Sequence, residues 1–221
     1  MRVYVYIDGF NLYYRALKNT AYKWLDVKEL CKRLLKPEDN ILSIKYFTAL
    51  VNGINDPGRP IRQGTYLRAL QSYIPEIEIF YGSFLTEKKR LFLPKPIIKP
   101  SERQTQLNVT NLEYIRTIEI KETKEKGSDV NLAVHLLNDA WHNRYDCAVV
   151  ISNDSDIKEA LNLVKTEINK QIGWFIPTNC NPSVELNKLA DFRKIIRKTV
   201  LVNSQLPNPI PGTTLYKPAK W

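Results

Sequence analysis

The sequence predicts an α/β fold, a three-layer α/β/α sandwich built on a mainly parallel central sheet. Strand-like and helix-like segments alternate along the chain, which is typical of a parallel sheet with helices on both faces. Residues 146–152 (DCAVVIS) form a short, nearly continuous apolar run, as expected for a strand buried inside such a sheet. The length of 221 residues, 43% of them hydrophobic, suits one large domain with an appendage.

The first part of the chain supplies three strands and three helices. Residues 2–8 (RVYVYID) are rich in β-branched and aromatic residues and end at an aspartate, which predicts a strand. Residues 26–35 begin with an N-cap aspartate and carry apolar residues at helical spacing, which predicts a helix. The same criteria predict further helices over 11–18 and 61–73, further strands over 43–50 and 77–84, and a loop over 52–60.

The later part of the chain continues the alternation. Residues 113–127 start strand-like and end in a charged stretch. A long helix is then predicted over 128–143, and one of its faces carries Val130, Val134, Leu137 and Trp141. The remaining predicted elements are the strand 146–152, a helix over 154–165, a strand over 171–177, a helix over 183–192 and a last strand over 197–202.

Two segments fall outside the alternation. Residues 86–112 contain three prolines and six Lys or Arg residues, which predicts an inserted basic arm or hairpin. Residues 203–221 contain four prolines and predict a loose, proline-rich C-terminal extension that packs on the body. We therefore expect a main domain over 1–202, which includes the arm, followed by this extension.

The charge and the cysteines limit the class of protein. A formal net charge of +10 and a pI near 9.4 favour a polyanionic partner, although charge alone does not establish nucleic-acid binding. No apolar run is long enough for a membrane span, and the N-terminus lacks the zones of a signal peptide. The three cysteines are widely spaced and form no CxxC pair, which indicates neither a disulfide framework nor a zinc site. We expect a cytoplasmic protein with no membrane association, and a homo-oligomer is compatible with these features.

Acidic and amide side chains follow predicted strands at the point where a helix begins. Asp8 ends the first strand, and Asn153, Asp154 and Asp156 follow the buried strand. Ligands of parallel sheets gather at the carboxyl ends of the strands, so these groups share one crevice if the two strands are neighbours. Each aspartate alone, including Asp129 at the start of the long helix, also suits a turn or a helix N-terminus. Their joint occurrence favours a functional site.

Three blocks of sequence carry a resemblance to a known family. They are YIDGFNLYY (6–14), KEKGSDVNLAVHLL (124–137) and VVISNDSDIKEAL (149–161). In this order, and at these strand and helix junctions, the chain resembles the NYN domain family, a branch of the PIN-like nucleases. The resemblance spans residues 1–177, reaches about residue 200, and leaves the arm and the tail uncovered. It implies a PIN-like fold and a metal-dependent endoribonuclease that hydrolyses RNA phosphodiester bonds with Mg²⁺ or Mn²⁺.

The resemblance also implies roles for individual residues. Asp8 and Asp154 would be direct metal ligands, and Asp129 and Asp156 would bind the metal directly or through water. Asn11 would hydrogen-bond a ligand carboxylate or a substrate phosphate. The further residues are Ser152 and Asn153, which would orient the loop, and Lys126, which would reach the phosphate. The chemistry agrees, because carboxylate oxygens suit these hard cations and a cation makes clustered carboxylates favourable.

The basic arm is the second candidate for RNA contact. Lys88, Lys89 and Arg90 lie together in it, and Phe92 and Tyr114 are aromatic residues that could stack on an unpaired base. Contacts from these cations to phosphates would hold the RNA backbone. The alternative is a solvated loop that keeps the protein soluble.

Other classes of protein compete with the nuclease. A non-catalytic RNA-binding or regulatory module with the same fold is the main alternative, and DNA remains open as a substrate. A phosphatase of the haloacid dehalogenase type needs a second aspartate where Phe10 stands. A Toprim-type site needs a glutamate where Asp8 stands. A nicotinamide-binding Rossmann domain needs a glycine-rich turn, and Gly9 is a single glycine.

Overall fold

The structure, a computed structural model, describes residues 1–54, 56–98, 114–178 and 181–221. Its contacts divide the chain into two compact units. The first unit comprises Met1–Ser83 together with Lys126–Trp221, and the second comprises Phe84–Glu125.

The elements of the chain alternate much as the sequence predicts. The strands are β1 (Arg2–Asp8), β2 (Asn40–Thr48), β3 (Ile77–Tyr81), β4 (Ser83–Ile98), β5 (Tyr114–Lys126), β6 (Cys147–Ile151), β7 (Gln171–Ile176) and β8 (Phe192–Ile195). The α-helices are α1 (Gly9–Leu12), α2 (Val27–Leu34), α3 (Gly58–Tyr73), α4 (Ser128–Trp141), α5 (Lys158–Thr166), α6 (Val184–Leu189) and α7 (Lys198–Asn203). A π-helical turn, Tyr13–Leu17, extends α1, and a 3₁₀ turn, Ser155–Ile157, precedes α5.

Six strands of the first unit form one parallel sheet in the order β3-β2-β1-β6-β7-β8. This confirms the predicted α/β fold with a mainly parallel sheet. On one side of β1, the strands β2 and β3 follow in chain order toward the edge of the sheet, and on the other side β6, β7 and β8 do the same. The strand order therefore reverses between β1 and β6. These two strands are direct neighbours, and their last paired residues are Ile7 and Ile151. The sequence predicts that Asp8 and the segment 153–156 share one crevice if these two strands are neighbours, and the structure meets that condition.

Hydrophobic clusters cover both faces of the sheet. Val3, Val5 and Ile7 of β1 belong to one cluster, whereas Tyr6 belongs to the other, because successive side chains of a strand point to opposite faces. Helices α2, α3 and α7 add Leu30, Leu70 and Leu201 to the first cluster, and helices α4 and α5 add Leu132, Leu136 and Leu161 to the second. The result is the predicted three-layer sandwich.

A buried ion cluster ties α4 to the sheet. Asp139 is fully buried and accepts hydrogen bonds from Lys45 Nζ at 2.5 Å, Tyr6 Oη at 2.8 Å and Arg144 at 2.7 Å. Burial by itself raises the pKa of Asp139, but these donors together hold that pKa below its ordinary value. Asp139 is therefore a charged group that the fold fully compensates.

The last predicted strand, 197–202, is wrong. Those residues form the start of α7, and the last strand is β8, which lies just before them. The apolar run of the segment favours a strand by propensity, but Leu201 is buried in the core and Val200 packs against that core from one side of a helix. Tertiary packing has overridden a weak local preference. The predicted helix 183–192 is correspondingly shorter, because α6 ends at Leu189.

Three of the four apolar residues that the sequence spacing picks out on α4 point to solvent, and the fourth, Leu137, packs partly buried against the second cluster. Val130, Val134 and Trp141 are 65%, 56% and 78% exposed, and the opposite face supplies Leu132 and Leu136 to the core. A helical apolar spacing does not by itself identify the buried face when both faces carry large apolar residues.

The C-terminal extension packs into the first unit. Leu206 and Ile210 are buried, and the indole nitrogen of Trp24 donates to the carbonyl of Pro207 at 3.0 Å. Trp221 lies edge-on to Trp24, with ring centroids 5.6 Å apart. The extension therefore belongs to the same hydrophobic core as the sheet. Within the described residues, no helix combines the length and the apolar character that a membrane span requires.

The second unit is a two-stranded sheet of β4 and β5. Thr86 and Thr123 share a hydrogen bond of 2.8 Å between their hydroxyls. Residues 86–98 of the predicted arm therefore lie in a strand, and the rest of the predicted arm, 99–112, lies outside the described residues. Phe92 is 84% exposed on this sheet.

Candidate active site

Hydrogen bonds join the ends of β1 and β6. Ser152 Oγ donates a hydrogen bond to Asp8 Oδ2 at 3.0 Å. Ser152 Oγ also accepts a hydrogen bond from the backbone N–H of Asp154 at 3.1 Å. Asp154 Oδ1 in turn accepts from the backbone N–H of Asp156 at 3.0 Å. Ser152 is 1% exposed and Asp8 is 5% exposed. The segment after β6 is thus folded so that it presents Asp154 beside the end of β1.

Two asparagines fix the backbone around this junction. The backbone N–H of Asn11 donates to Asp8 Oδ1 at 2.9 Å, which makes Asp8 the N-cap of α1. The side-chain oxygen of Asn11 accepts from the backbone N–H of Asn153 at 3.1 Å. Asn153 bridges onward to the segment before α6, where it contacts the carbonyl of Asn181 and the N–H of Ser183. Asn11 and Asn153 therefore hold the two strand ends together.

The negative charges of Asp129 and Asp154 act on the carboxyl group of Asp8. The pKa of Asp8 is raised to about 6, mainly by burial and in addition by the negative charges of Asp129 and Asp154, whereas hydrogen bonds from Asn11 and Ser152 oppose the rise. Asp129 lies in the first turn of α4 and is half-buried, as is Asp154. The structure therefore brings three of the predicted aspartates close enough to interact electrostatically at the carboxyl end of the sheet.

The other predicted site residues lie less centrally. The side chain of Asp156 is exposed, and Lys126 is exposed at the end of β5. Lys88, Lys89 and Arg90 lie on β4 in the second unit, where Lys88 pairs with Glu119 at 3.0 Å and Lys89 with Glu122 at 2.6 Å. Over the described ranges, no group of three or more His, Cys, Asp or Glu side chains is arranged to hold a metal ion.

Gly9 follows Asp8 and lies against the ring of Tyr46. A β-carbon at position 9 would stand 2.6 Å from Tyr46 Cε1 and 2.8 Å from the carbonyl oxygen of Phe47. Glycine is therefore required here by close approach. Tyr46 is 5% exposed, and burial raises its pKa, with a further rise from the nearby charge of Asp8. The Tyr46 side chain is thus buried in the core close to both Gly9 and Asp8.

Gly9 and Tyr46 also line a cavity of about 190 Å³. Helix α3 contributes Arg62 and Tyr66 to its wall. The lining combines five aromatic side chains with three cationic ones. The aromatic residues are Phe10, Tyr13, Tyr46, Tyr66 and Trp221, and the cationic residues are Lys23, Arg59 and Arg62. We call this the aromatic cavity.

Sequence reasoning did not predict the aromatic cavity. Its residues come from the turn after β1, the segment before α2, the end of β2, α3 and the C-terminal extension, so no local motif connects them. The one local signal was the pair Arg59 and Arg62, which lie one helical turn apart and so share a face of α3.

The protein is an α/β protein whose parallel sheet gathers carboxylates where its strand order reverses, which is where such sheets bind ligands. The chain belongs to the NYN domain family, whose model matches residues 2–197. This confirms the resemblance drawn from the three sequence blocks.

Two other similarities accompany the family match. The chain is 32% identical over 244 residues to 6-hydroxy-3-succinoylpyridine 3-monooxygenase HspA of Pseudomonas putida, a similarity that covers 100% of this chain and 75% of that protein. It is also similar to the crystal structure of a protein of unknown function from Vibrio parahaemolyticus, with a TM-score of 0.53 and 16% identity over 89% of this chain and 93% of that one. At this identity the second similarity shows the fold alone.

Proposed function

We propose that the protein is a metal-dependent endoribonuclease that hydrolyses RNA phosphodiester bonds at the cluster of Asp8, Asp129 and Asp154. The observation that carries the proposal is the buried Asp8 carboxyl, whose pKa is raised to about 6 by burial and by two neighbouring carboxylates. Like charges gathered at the carboxyl end of a parallel sheet are costly unless a cation joins them. Membership of the NYN family supports the same function.

The donor atoms of this cluster fit Mg²⁺ or Mn²⁺. Each candidate ligand is a carboxylate oxygen, which is the donor these hard ions prefer. Because no metal-holding group is preformed among the described residues, the proposal requires Asp129 and Asp154 to turn toward Asp8 on binding. When bound, a divalent ion supplies charge neutralisation at the phosphate and activation of water.

The surrounding residues position the carboxylates. Ser152 and the backbone of Asn11 each occupy one oxygen of Asp8 and thereby fix the plane of its carboxylate. Each carboxylate oxygen has two lone pairs, so both oxygens keep acceptor capacity for a ligand. We assign Asn153 to holding the loop, and we assign the exposed Lys126 and Asp156 to the approach of the phosphate and of metal-bound water. The preference for RNA over DNA is part of the proposal.

The second unit supports the choice of a nucleic-acid substrate. Lys88 is exposed and Lys89 is partly exposed, although each pairs with a glutamate, and surface pairs of this kind are weak enough to exchange for other anions. The exposed Phe92 offers a ring for stacking. We propose that this two-stranded sheet holds the RNA backbone.

Cleavage of labelled RNA by the full chain tests the proposal. With Mn²⁺ or Mg²⁺ the parent should cleave, and the Asp154→Asn variant should lose at least about 100-fold in rate because a carboxylate ligand becomes neutral. The matched control is Glu185→Gln on α6, which also neutralises one carboxylate and should cleave like the parent. Activity of Asp154→Asn near the parental rate contradicts the assignment. Binding of RNA by both proteins without cleavage supports the non-catalytic module instead.

A second candidate function is oxygenation of a small aromatic heterocycle. It is favoured by the similarity to a monooxygenase along the whole chain and by the aromatic cavity, which Gly9 and Tyr46 help to line. Such a reaction consumes O₂ and two electrons from a reductant. Oxygen uptake with 6-hydroxy-3-succinoylpyridine and a reduced nicotinamide or flavin measures it directly. Uptake that depends on the heterocycle supports this candidate, and uptake that equals the substrate-free background excludes it for that compound.

A further inference from the structure

We propose that the aromatic cavity binds a free aromatic acid, a compound with one ring and one carboxylate group. The ring would lie among the aromatic side chains, and the carboxylate would face Lys23, Arg59 and Arg62. This binding site is separate from that of RNA hydrolysis, because none of Asp8, Asp129 and Asp154 lines the cavity. Its ligand is the same whether or not that cluster cleaves RNA.

The size and the walls of the cavity suit a single ring. An apolar cavity of about 150 Å³ is large enough to take up benzene. The aromatic cavity measures about 190 Å³, which leaves room for a short substituent. Tyr46 and Tyr66 are 5% and 6% exposed, so two of the aromatic walls are fixed by the core. Aromatic rings pack against such walls in offset or edge-to-face arrangements.

Hydrogen bonds keep these walls in place. Tyr66 Oη donates to the carbonyl of Leu25 at 2.8 Å. Gln63 accepts from the N–H of Val51 at 2.9 Å and donates to the carbonyl of Ala49 at 2.9 Å, which fixes the segment after β2. A preformed pocket loses little conformational freedom when a ligand enters. The cavity is therefore a built feature of the first unit.

The cations of the cavity supply the preference for an acid. Lys23 forms no ion pair with any residue in the described part of the chain, and both partial burial and the charge of Arg62 lower its pKa. Arg62 pairs with Asp56, and Arg59 donates to the hydroxyl of Tyr14 at 2.9 Å. More positive than negative charge therefore faces the cavity. A carboxylate would relieve this repulsion and accept charge-assisted hydrogen bonds.

The volume favours a free acid over a nucleotide. Pockets for drug-sized ligands start at about 300 Å³, and a nucleotide adds a ribose and a phosphate to its base. A ring with a directly attached carboxylate fits the smaller space. A nucleotide is the competing ligand that the experiment must include.

Binding to the full chain, without metal or RNA, tests the inference. The probes are nicotinate and benzoate, and their neutral amides nicotinamide and benzamide have nearly the same shape. Calorimetry, or quenching of the fluorescence of Trp221 in the cavity wall, gives the affinities. The acids should bind at least about ten-fold more tightly than the amides, because each hydrogen bond between charged groups is worth that much or more. Succinate, an acid without a ring, should bind more weakly than either aromatic acid.

Two double variants, each of which removes two positive charges, distinguish binding in the cavity from a general effect of surface charge. Lys23→Met with Arg59→Met should weaken benzoate binding at least about ten-fold. Lys36→Met with Arg68→Met removes two exposed cations outside the cavity and should leave the affinity unchanged. The single variant Lys23→Met serves if the first double variant melts below the parent.

Three outcomes overturn the inference. The first is equal binding of acids and amides, and the second is unchanged affinity in the Lys23 and Arg59 variants. The third is binding of uridine monophosphate at least about ten-fold tighter than either acid, which makes the cavity a nucleotide subsite. Because the assay contains no metal and no RNA, its failure leaves the proposed ribonuclease standing, and loss of cleavage in Asp154→Asn leaves this inference standing.

Discussion

Ser152 donates a hydrogen bond of 3.0 Å from its Oγ to Oδ2 of Asp8, although 144 residues separate the two along the chain. The bond joins the carboxyl ends of the two central strands. The same hydroxyl oxygen receives the backbone N–H of Asp154. One small, buried side chain thus connects the carboxylate of Asp8 to the backbone of Asp154, and its removal is informative.

Ser152→Ala should reduce the free energy of unfolding by about 1–3 kcal/mol, because it leaves a buried carboxylate oxygen and a backbone N–H without their partner. Urea denaturation measures this loss. Ser155→Ala, at an exposed position three residues on, is the control and should change stability by less than about 0.5 kcal/mol. Equal effects at the two positions would contradict the role given to Ser152.

Asp8→Asn should stabilise the metal-free protein in a pH-dependent way. The folded carboxyl has a pKa of about 6 against 3.8 for the ordinary group, so the folded state binds the proton more tightly and loses stability as pH rises across this window. Above pH 6 the free energy of unfolding of the variant should exceed that of the parent by about 3 kcal/mol, reduced by whatever the asparagine loses in hydrogen bonding. This difference should vanish below about pH 4.

Thermal melting of parent and Asp8→Asn across this pH range checks the prediction. Added Mn²⁺ should raise the melting temperature of the parent at neutral pH, and the gain should shrink as pH falls through about 6, where Asp8 becomes protonated. A melting difference between variant and parent that is the same at both ends of the range would count against the raised pKa.

Gly9→Ala should destabilise the protein by about 1–3 kcal/mol, because the new methyl group overlaps the ring of Tyr46 and the carbonyl of Phe47. Gly64→Ala is the matched control, since a β-carbon at Gly64 meets nothing within 4 Å and lies inside α3. That change should stabilise by about 0.5–1 kcal/mol. Chemical denaturation of the two variants should therefore give shifts of opposite sign.

Asp139→Asn should cost about 3–5 kcal/mol, because it leaves the Lys45 ammonium buried without its carboxylate. Asp146→Asn breaks a pair with Arg2 in which both side chains are more than 40% exposed, and it should cost less than about 1 kcal/mol. Denaturation midpoints of the two variants test the contrast. Similar midpoints would show that the buried cluster is less coupled than its hydrogen bonds indicate.

Replacing Lys88, Lys89 and Arg90 by alanine should weaken RNA binding across sequences and flatten its dependence on salt, by about one unit of slope for each phosphate that is no longer neutralised. Metal binding should not change. A second variant, Glu119→Gln with Glu122→Gln, frees Lys88 and Lys89 from their partners and should strengthen binding. If affinity and slope match the parent in both variants, the arm is a solvated surface segment with no part in RNA binding.

Sequence patterns predicted the sheet well because its strands are local and strongly apolar. The run of residues 146–152 could only be buried on both faces, and it forms the fully buried β6. The segment 197–202 was wrongly predicted because propensity is a weak guide where Leu201 is anchored by packing against distant residues.

The part of the candidate site that lies directly after the ends of strands could be predicted from the sequence. Asp8 and Asp154 lie where the topology of parallel sheets places ligands, so their proximity could be expected without coordinates. The aromatic cavity could not be expected in this way. Lys23 and Trp221 meet only because the C-terminal extension folds back onto the core, a relation that no periodicity records.

The position of β1 has a consequence for synthesis of the protein. This strand is made first, yet it lies in the middle of the sheet, and its second neighbour, β6, is made more than a hundred residues later. A growing chain can pair β1 with β2, and β2 with β3, while the other edge of β1 stays open on the ribosome. An open edge of this kind invites pairing with other chains, which chaperones can cover. The nascent half-sheet contains Asp8 but neither Asp129 nor Asp154, so the proposed metal site is incomplete until most of the chain has been translated.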